Sequence, residues 1–306
     1  MTREVTIAAV QLPAFQSGQS NGEKREQNLQ AAEHWLHRAG EQGADIACIG
    51  ETFNTLGLSL SPDTLRTELA DAYDDAVARL GAVARKHGMY VIAPVMALRN
   101  DTPRNVALLF DRGGRVAGEY CKVHCIENER NLGIVPGDAW PTFKLDFGTV
   151  GIQICHDNSF PESARCLTMN GAEIIFWPHV MGGWGGEFMD ILLRSPAIHN
   201  GIYHVPVCFG CDPDRAWRPG MLIGRSSIIA PDAMILADAG RYTGLALATV
   251  DLDRPRLATS FTRDGDWVWR TDMLNDRRPD TYTTLTREHM PTPPIPAASQ
   301  EENLLP

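Results

Sequence analysis

Short apolar runs alternate with longer amphipathic segments along this chain. The short runs are rich in β-branched residues and are bounded by glycine or polar turns, a pattern typical of buried strands. Strands are predicted at residues 4–11, 44–50, 89–97, 104–111, 116–122, 143–147, 149–154, 174–177, 203–209, 225–230, 234–237 and 245–250.

The longer segments carry apolar residues at helical spacing. One stripe runs through residues 23–42 and a second through 62–87, where Gly88 follows in the position favoured after a helix. Shorter helices are expected at 161–170 and 187–200. Strands that alternate with helices, together with hairpins, predict an α/β architecture in which helices cover a mixed sheet system.

The domain organisation follows from the same pattern. No internal repeat or linker interrupts the chain, so we expect a single domain over residues 1–290. Residues 291–306 begin with a group of prolines and form a C-terminal tail that either packs elsewhere or is disordered.

Composition narrows the class of protein. The net charge of −10 argues against nucleic acid or an anionic membrane as the main partner, and no apolar run reaches transmembrane length. The N-terminus lacks the pattern of a signal peptide. Seven cysteines, an odd number, favour reduced thiols over a disulfide framework. We therefore expect a cytoplasmic protein with no membrane or nucleic-acid partner.

Three of the predicted strands end on reactive side chains: Glu51, Lys122 and Cys155. Acyl transfer needs a nucleophile, a base that moves its proton, and a cationic or N–H donor for the developing oxyanion. These residue types can fill those roles together. Pro161 and Glu162 open the helix that follows Cys155, so we expect a helix N-terminus near the thiol, whose dipole would favour the thiolate.

Several motifs resemble one known family, the nitrilase superfamily of carbon-nitrogen hydrolases. They occur in consistent order across residues 5–282, which is more specific than any one motif alone. The motifs are Glu51-Thr52-Phe53, Tyr120-Cys121-Lys122-Val123-His124, Pro136-Gly137, Gly151-Ile152-Gln153-Ile154-Cys155-His156-Asp157, Phe160-Pro161-Glu162, Arg225-Ser226-Ser227-Ile228-Ile229-Ala230-Pro231-Asp232 with Leu236-Ala237, and Arg277-Arg278-Pro279-Asp280-Thr281-Tyr282.

The resemblance implies a four-layer α-β-β-α sandwich that forms a homodimer or higher homo-oligomer and uses no metal or organic cofactor. It implies that Glu51 is the general base, that Cys155 is the nucleophile, and that Lys122 and the backbone N–H of His156 stabilise the oxyanion. It also implies a second glutamate near the lysine. Glu129 fits this position best by its spacing to Pro136-Gly137.

Other residues are candidates for substrate binding. Glu127 is the alternative to Glu129 for the position of the second glutamate. His156 replaces the aromatic residue that the family usually has after the nucleophile. Trp184 either lines the acyl pocket or covers the core. Gly50 stands where the family usually has proline before the first glutamate.

The predicted activity is hydrolysis of a small carboxamide or N-carbamoyl compound through a cysteine thioester, releasing ammonia or an amine. Nitrile hydrolysis is the alternative, disfavoured because the family's true nitrilases usually have Trp-Glu after the nucleophile whereas this chain has His156-Asp157. A catalytically silent binding or assembly protein of the same fold is a further alternative. Such a relative would be expected to have lost one of the three reacting groups.

Overall fold

Two β-sheets face each other in the computed structural model, and helices cover their outer surfaces. The structure describes residues 3–14, 17–181, 186–211, 224–253, 257–259, 266–268 and 274–287. The first sheet contains β1 (Glu4–Gln11), β2 (Ile46–Cys48), β3 (Tyr90–Arg99), β4 (Thr102–Phe110), β5 (Val116–Cys121) and β12 (Gly244–Asp251). The second contains β6 (Thr142–Lys144), β7 (Thr149–Ile152), β8 (Ile174–Pro178), β9 (Tyr203–Val207), β10 (Ser227–Ile229) and β11 (Ile235–Asp238).

The remaining elements are helices and one small hairpin. The α-helices are α1 (Asn21–Glu41), α2 (Pro62–His87), α3 (Glu127–Asn131), α4 (Pro161–Met169) and α5 (Gly186–Asn200). Short 3-10 helices occupy Phe53–Thr55, Cys155–Ser159, Pro279–Thr281 and Thr283–Thr286, and β13 (Leu257–Thr259) pairs with β14 (Asp266–Val268).

The two sheets share one pairing pattern. Their strand orders are β12-β1-β2-β3-β4-β5 and β6-β7-β8-β9-β10-β11. In each of these orders the second, third and fourth strands are parallel to one another. Every other pair of neighbouring strands in the two sheets is antiparallel. Parallel neighbours bring their carboxyl ends to one edge, so β1 to β3 and β7 to β9 place the residues that follow them close together.

Successive side chains of a strand point to opposite faces of its sheet, and this alternation divides the core into layers. On β1, Val5, Ile7 and Ala9 are buried between the sheets, whereas Ala8 and Val10 pack toward α1 and α2. On β8, Phe176 faces the first sheet and Trp177 packs with residues of α5. The predicted α-β-β-α sandwich is thereby confirmed.

Local sequence explains the longest helix. Ser61 caps α2 by accepting a hydrogen bond from the backbone N–H of Thr64, Pro62 occupies the first turn, and Gly88 ends the helix at a φ of 60°. The predicted bounds of this helix agree with the structure, and the other predicted helices differ from it by at most two residues.

Some predicted elements differ from the structure. The predicted strand 44–50 is shorter, because only Ile46–Cys48 pairs in the sheet. A loop was expected where α3 forms, and β13 and β14 were not predicted. The division after residue 290 stays a prediction, since the tail 291–306 lies outside the described residues. Among the helices that the structure describes, none is long and apolar enough to cross a membrane.

Candidate active site

The three reactive side chains predicted at strand ends lie at the same edge of the sandwich. Glu51 follows β2, Lys122 directly follows β5, and Cys155 follows β7 of the facing sheet. All three are buried, with 2%, 1% and 8% of their surface exposed. A buried lysine needs charged partners, because an unpaired charge is costly to remove from water.

Two carboxylates hold the lysine. Lys122 Nζ donates to Glu51 Oε1 and to Glu129 Oε2, each at 2.8 Å. Asn105 Nδ2 also donates to both acids, at 2.8 Å from Glu51 Oε1 and 2.8 Å from Glu129 Oε1. Glu51 Oε2 is buried and has no hydrogen-bond partner among the described residues. This second oxygen is therefore the one open to a proton.

Asn105 was missed by the sequence analysis. It lies on β4 with its side chain buried, in a strand whose other members are mostly apolar. An asparagine with 1% exposure in such a strand must find partners, because a buried amide without hydrogen bonds is destabilising. That mismatch between a polar residue and an apolar strand is the signal that could have identified it.

The structure separates the two acids that competed for the second glutamate position. Glu129 is buried on α3, where its Oε2 accepts from the backbone N–H of Ile126 at 2.9 Å in addition to Lys122. Glu127 lies in the first turn of the same helix and is exposed. Glu129 therefore joins the cluster, and Glu127 makes no contact that the structure records with it.

Backbone contacts fix the lysine segment. The N–H of Lys122 donates to Asn105 O at 2.9 Å, and the N–H of Gly137 donates to Lys122 O at 2.8 Å. A Cβ on Gly137 would lie 2.3 Å from Cys121 O. The Pro-Gly motif thus needs glycine because the two backbones approach too closely for a side chain.

Burial and charge set the protonation of the cluster. Burial lowers the pKa of Lys122, but the negative charges of the Glu51 and Glu129 carboxylates outweigh it, so the net pKa is raised and the lysine stays cationic. Burial, followed by the Glu51 carboxylate, raises the pKa of Cys155 well above that of a free thiol, against the opposing effect of Lys122. The resting nucleophile is therefore a thiol that needs a base.

This result corrects the expectation of a thiolate stabilised by a helix N-terminus. A 3-10 turn, Cys155–Ser159, lies between β7 and α4, so α4 begins only at Pro161. The thiol is thus removed from the amide groups of the longer helix, and burial beside Glu51 dominates its pKa.

Asp157 connects the nucleophile turn to the lysine strand. Its Oδ2 accepts from Tyr120 Oη at 2.6 Å and from the N–H of Ile154 at 2.8 Å. Its Oδ1 accepts from the N–H of His124 at 2.8 Å and lies 2.9 Å from His124 Nδ1. With no exposed surface, Asp157 fixes the two facing sheets to each other beside Lys122 and Cys155.

Aromatic rings pack against one another beside this turn. His156 is half-buried, packs edge-on against Phe160 with ring centres 5.1 Å apart, and lies with Nδ1 3.3 Å from Ser159 Oγ. Burial and then the charge of Lys122 lower the pKa of His156, which keeps the ring neutral at pH 7. His124 also stacks on Phe160, with ring centres 3.9 Å apart. The predicted wall residue Trp184 lies outside the described residues.

No metal centre is visible in the ranges that the structure covers. No group of three or more histidines, cysteines or acidic residues there is arranged to hold an ion. All seven cysteines fall in the described ranges, and none of them is in a disulfide, including Cys208 and Cys211, whose spacing is that of a CxxC motif.

The sandwich and its buried cluster define a class of protein, a cysteine-dependent hydrolase. The profile of the family described as carbon-nitrogen hydrolase matches residues 6–259. This chain belongs to the carbon-nitrogen hydrolase family, as the sequence resemblance predicted.

Curated relatives agree with that assignment. The chain is 31% identical over 246 residues to the deaminated glutathione amidase of Synechocystis sp. (strain PCC 6803 / GT-S), covering 74% of this chain and 87% of the relative. It is 30% identical over 236 residues to the 2-oxoglutaramate amidase of Bacillus subtilis (strain 168), covering 75% and 86%. The N-carbamoylputrescine amidase of Arabidopsis thaliana is 25% identical over 301 residues, covering 92% and 95%.

Solved structures share the fold. The amidase from Nesterenkonia sp. superimposes with a TM-score of 0.73 at 23% identity, covering 92% of this chain and 96% of that chain. A variant of the Nesterenkonia sp. AN1 amidase, with the same TM-score and identity and coverage of 92% and 97%, carries the acetamide moiety of fluoroacetamide on its active-site cysteine. The family match and the curated amidase relatives make this chain an enzyme of the amidohydrolase type.

Proposed function

We propose that this chain hydrolyses a small carboxamide or N-carbamoyl compound through a thioester on Cys155. The observation that carries the proposal is the buried cluster in which Lys122 Nζ lies 2.8 Å from both Glu51 and Glu129, beside the Cys155 thiol. The amide and carbamoyl substrates in the names of the three relatives support this substrate class.

Glu51 would start the reaction as general base. Because the pKa of Cys155 is raised, the thiol carries its proton at pH 7, and the buried Glu51 Oε2 is open to receive it. The sulfur would then attack the carbonyl carbon of the substrate. The C–S bond forms as the carbonyl π electrons move onto oxygen.

Two donors would stabilise that oxyanion. The ammonium group of Lys122 keeps its charge inside the cluster. His156 is the second residue of the 3-10 turn, where the first N–H groups have no partner within the turn. Glu51 would return its proton to the leaving nitrogen as the C–N bond breaks. It would then take a proton from water, whose oxygen attacks the thioester carbonyl. The C–S bond would break as the carbonyl re-forms, which releases the acid, and the proton would return from Glu51 to the sulfur of Cys155.

Glu129 and Asn105 act through their neighbours in this scheme. Asn105 contacts Oε1 of Glu51, and Glu129 contacts the ammonium group of Lys122. The two residues, which also contact each other, would hold the base and the oxyanion donor in fixed positions. His156, Glu127 and Trp184 remain proposals for substrate binding. The position of His156 beside the nucleophile supports it best.

A panel of substrates tests the proposal. Small carboxamides, N-carbamoyl amines and nitriles would be incubated with the wild type and with Cys155→Ser, and ammonia release would be measured. We expect release from at least one amide or carbamoyl compound and none from the variant. Ammonia from nitriles alone would contradict the amide assignment, and turnover by Cys155→Ser would contradict the thioester.

We also propose that the enzyme forms a homodimer or higher homo-oligomer. Ile191 on α5 and Leu285 are 65% and 67% exposed, and both line a cleft of about 710 Å³ between α4, α5 and the C-terminal segment. Light scattering should show dissociation of the Ile191→Glu variant, but not of Val116→Glu on the other sheet. None of the seven cysteines is in a disulfide among the described residues, which favours a reducing compartment and supports a cytoplasmic location.

A further inference from the structure

The side chain of Trp177 contacts the backbone of the nucleophile, Cys155. It lies near the end of β8, is fully buried, and packs with Leu193 and Ala197 of α5. Its indole Nε1 donates a hydrogen bond of 2.8 Å to Cys155 O. This side chain therefore holds the carbonyl of the nucleophile on the side of the sheet that faces α5.

That hydrogen bond also orients the next amide. The carbonyl of Cys155 and the N–H of His156 belong to one trans peptide unit, whose C=O and N–H point in opposite directions. Since Trp177 holds the carbonyl toward α5, the N–H of His156 is directed away from α5, on the side of the reacting thiol. A rotated peptide would present the carbonyl oxygen there instead and would repel an oxyanion.

The backbone conformation makes this restraint necessary. Cys155 has a φ of 46°, in the left-handed region that residues with a Cβ disfavour. Such a conformation persists only where surrounding contacts enforce it. The Trp177 hydrogen bond is one contact that acts directly on the affected peptide.

Two histidine rings fix the indole in turn. His179 stacks on Trp177 with ring centres 4.1 Å apart, and His204 stacks at 5.7 Å, both within about 22° of parallel. His204 Nδ1 lies 2.7 Å from Leu193 O, and its Nε2 lies 3.2 Å from the Gln153 side chain, two residues before the nucleophile. The indole thus has little freedom to turn away.

We propose that Trp177 is a positioning residue that keeps the His156 N–H aimed at the oxyanion before substrate binds. The inference rests on the proposed function in that Cys155 performs acyl transfer and the His156 N–H donates to the oxyanion. It assigns to Trp177 a role in stabilising the tetrahedral intermediate, separate from the reactivity of the thiol.

Two reactions of the same thiol separate these effects. Acylation of Cys155 by p-nitrophenyl acetate passes through an oxyanion and releases a burst of p-nitrophenol. Alkylation by iodoacetamide forms a C–S bond as iodide leaves, and it builds no oxyanion. Both rates would be measured at one pH on the same sample, so that their ratio does not depend on the folded fraction.

Trp177→Phe keeps a ring between the two histidines but removes the N–H donor. We expect acylation to fall at least about tenfold, and up to about the hundredfold typical of losing an oxyanion donor, while alkylation changes less than about twofold. Trp35→Phe on α1 is the matched control and should leave both rates unchanged. Trp177→His, which restores a ring N–H, should recover part of the acylation rate.

Some results would overturn the inference, and one would overturn the proposed function on which it rests. Unchanged acylation in Trp177→Phe would show that the hydrogen bond does not matter, and an equal fall of both rates would assign Trp177 to the thiol or the fold. A wild type with no burst and no alkylation at Cys155 would overturn the proposed function itself. A normal wild-type burst with an unchanged rate ratio in the variant would overturn the positioning role alone.

Discussion

Replacing Lys122 by methionine should destabilise the protein as well as abolish its activity. Lys122 is the cation between Glu51 and Glu129, with one hydrogen bond of 2.8 Å to each. Both acids also accept from Asn105 Nδ2, so the two Oε1 atoms lie no more than about 6 Å apart, and their repulsion at an effective dielectric constant of about 20 is about 3 kcal/mol. Removing one partner of a buried ion pair typically costs about 3–5 kcal/mol.

A second substitution tests whether repulsion is the cause. Glu129→Gln in the Lys122→Met background removes one of the two facing charges, so we expect about 2–3 kcal/mol of the lost free energy of unfolding to return. Activity should stay at least about a hundredfold below wild type in both variants, because the oxyanion donor is absent. Urea unfolding followed by tryptophan fluorescence and an amidase assay measure the two quantities.

The matched control is Lys144→Met on β6, an exposed lysine whose loss should change stability by less than about 0.5 kcal/mol. The reasoning is refuted if Lys122→Met is as stable as the wild type. It is also refuted if the added Glu129→Gln substitution destabilises the protein further.

Other predictions concern the buried network around the cluster. Burial lowers the pKa of His179 to about 3 and of His204 to about 4, so the unfolded chain takes up protons first as the pH falls below about 6.5. Stability should therefore fall between pH 7 and pH 5 by about 2 kcal/mol for each histidine, and His204→Gln should lose about half of this dependence in urea titrations. Asp157→Asn should lower stability by about 1–3 kcal/mol and reduce kcat/KM, whereas the exposed Asp74→Asn should do neither. The alkylation rate of Cys155 should keep rising through pH 9 without a plateau, because its pKa is raised, and a plateau below pH 8 in a stopped-flow titration would contradict this.

Local signals in the sequence predicted much of the fold. Helix α2 was placed at its observed bounds because Pro62 and Gly88 mark its ends. The ends of the strands before Glu51, Lys122 and Cys155 were recognisable because apolar runs stop there. The arrangement of the strands in a four-layer sandwich came from the family resemblance, not from the local pattern.

Contacts between distant residues had no such signal. Asn105 contacts Glu51, which lies 54 positions away in the sequence, and Trp177 contacts Cys155, which lies 22 positions away. Neither contact could therefore be predicted from neighbouring residues. The preference for Glu129 over Glu127 came from the spacing to Pro136-Gly137, but the five-residue helix α3 that carries Glu129 was not predicted. The thiol pKa was mispredicted because burial beside Glu51 is a property of the assembled sheets.

Mass spectrometry of the intact protein, quenched during turnover of a hydrolysed amide, tests the central claim most directly. The account predicts an adduct on Cys155 whose added mass equals the acyl group of the substrate, and it predicts no adduct and no turnover in Cys155→Ser. Amide hydrolysis that proceeds without any adduct on Cys155, or that survives in the Cys155→Ser variant, would contradict it.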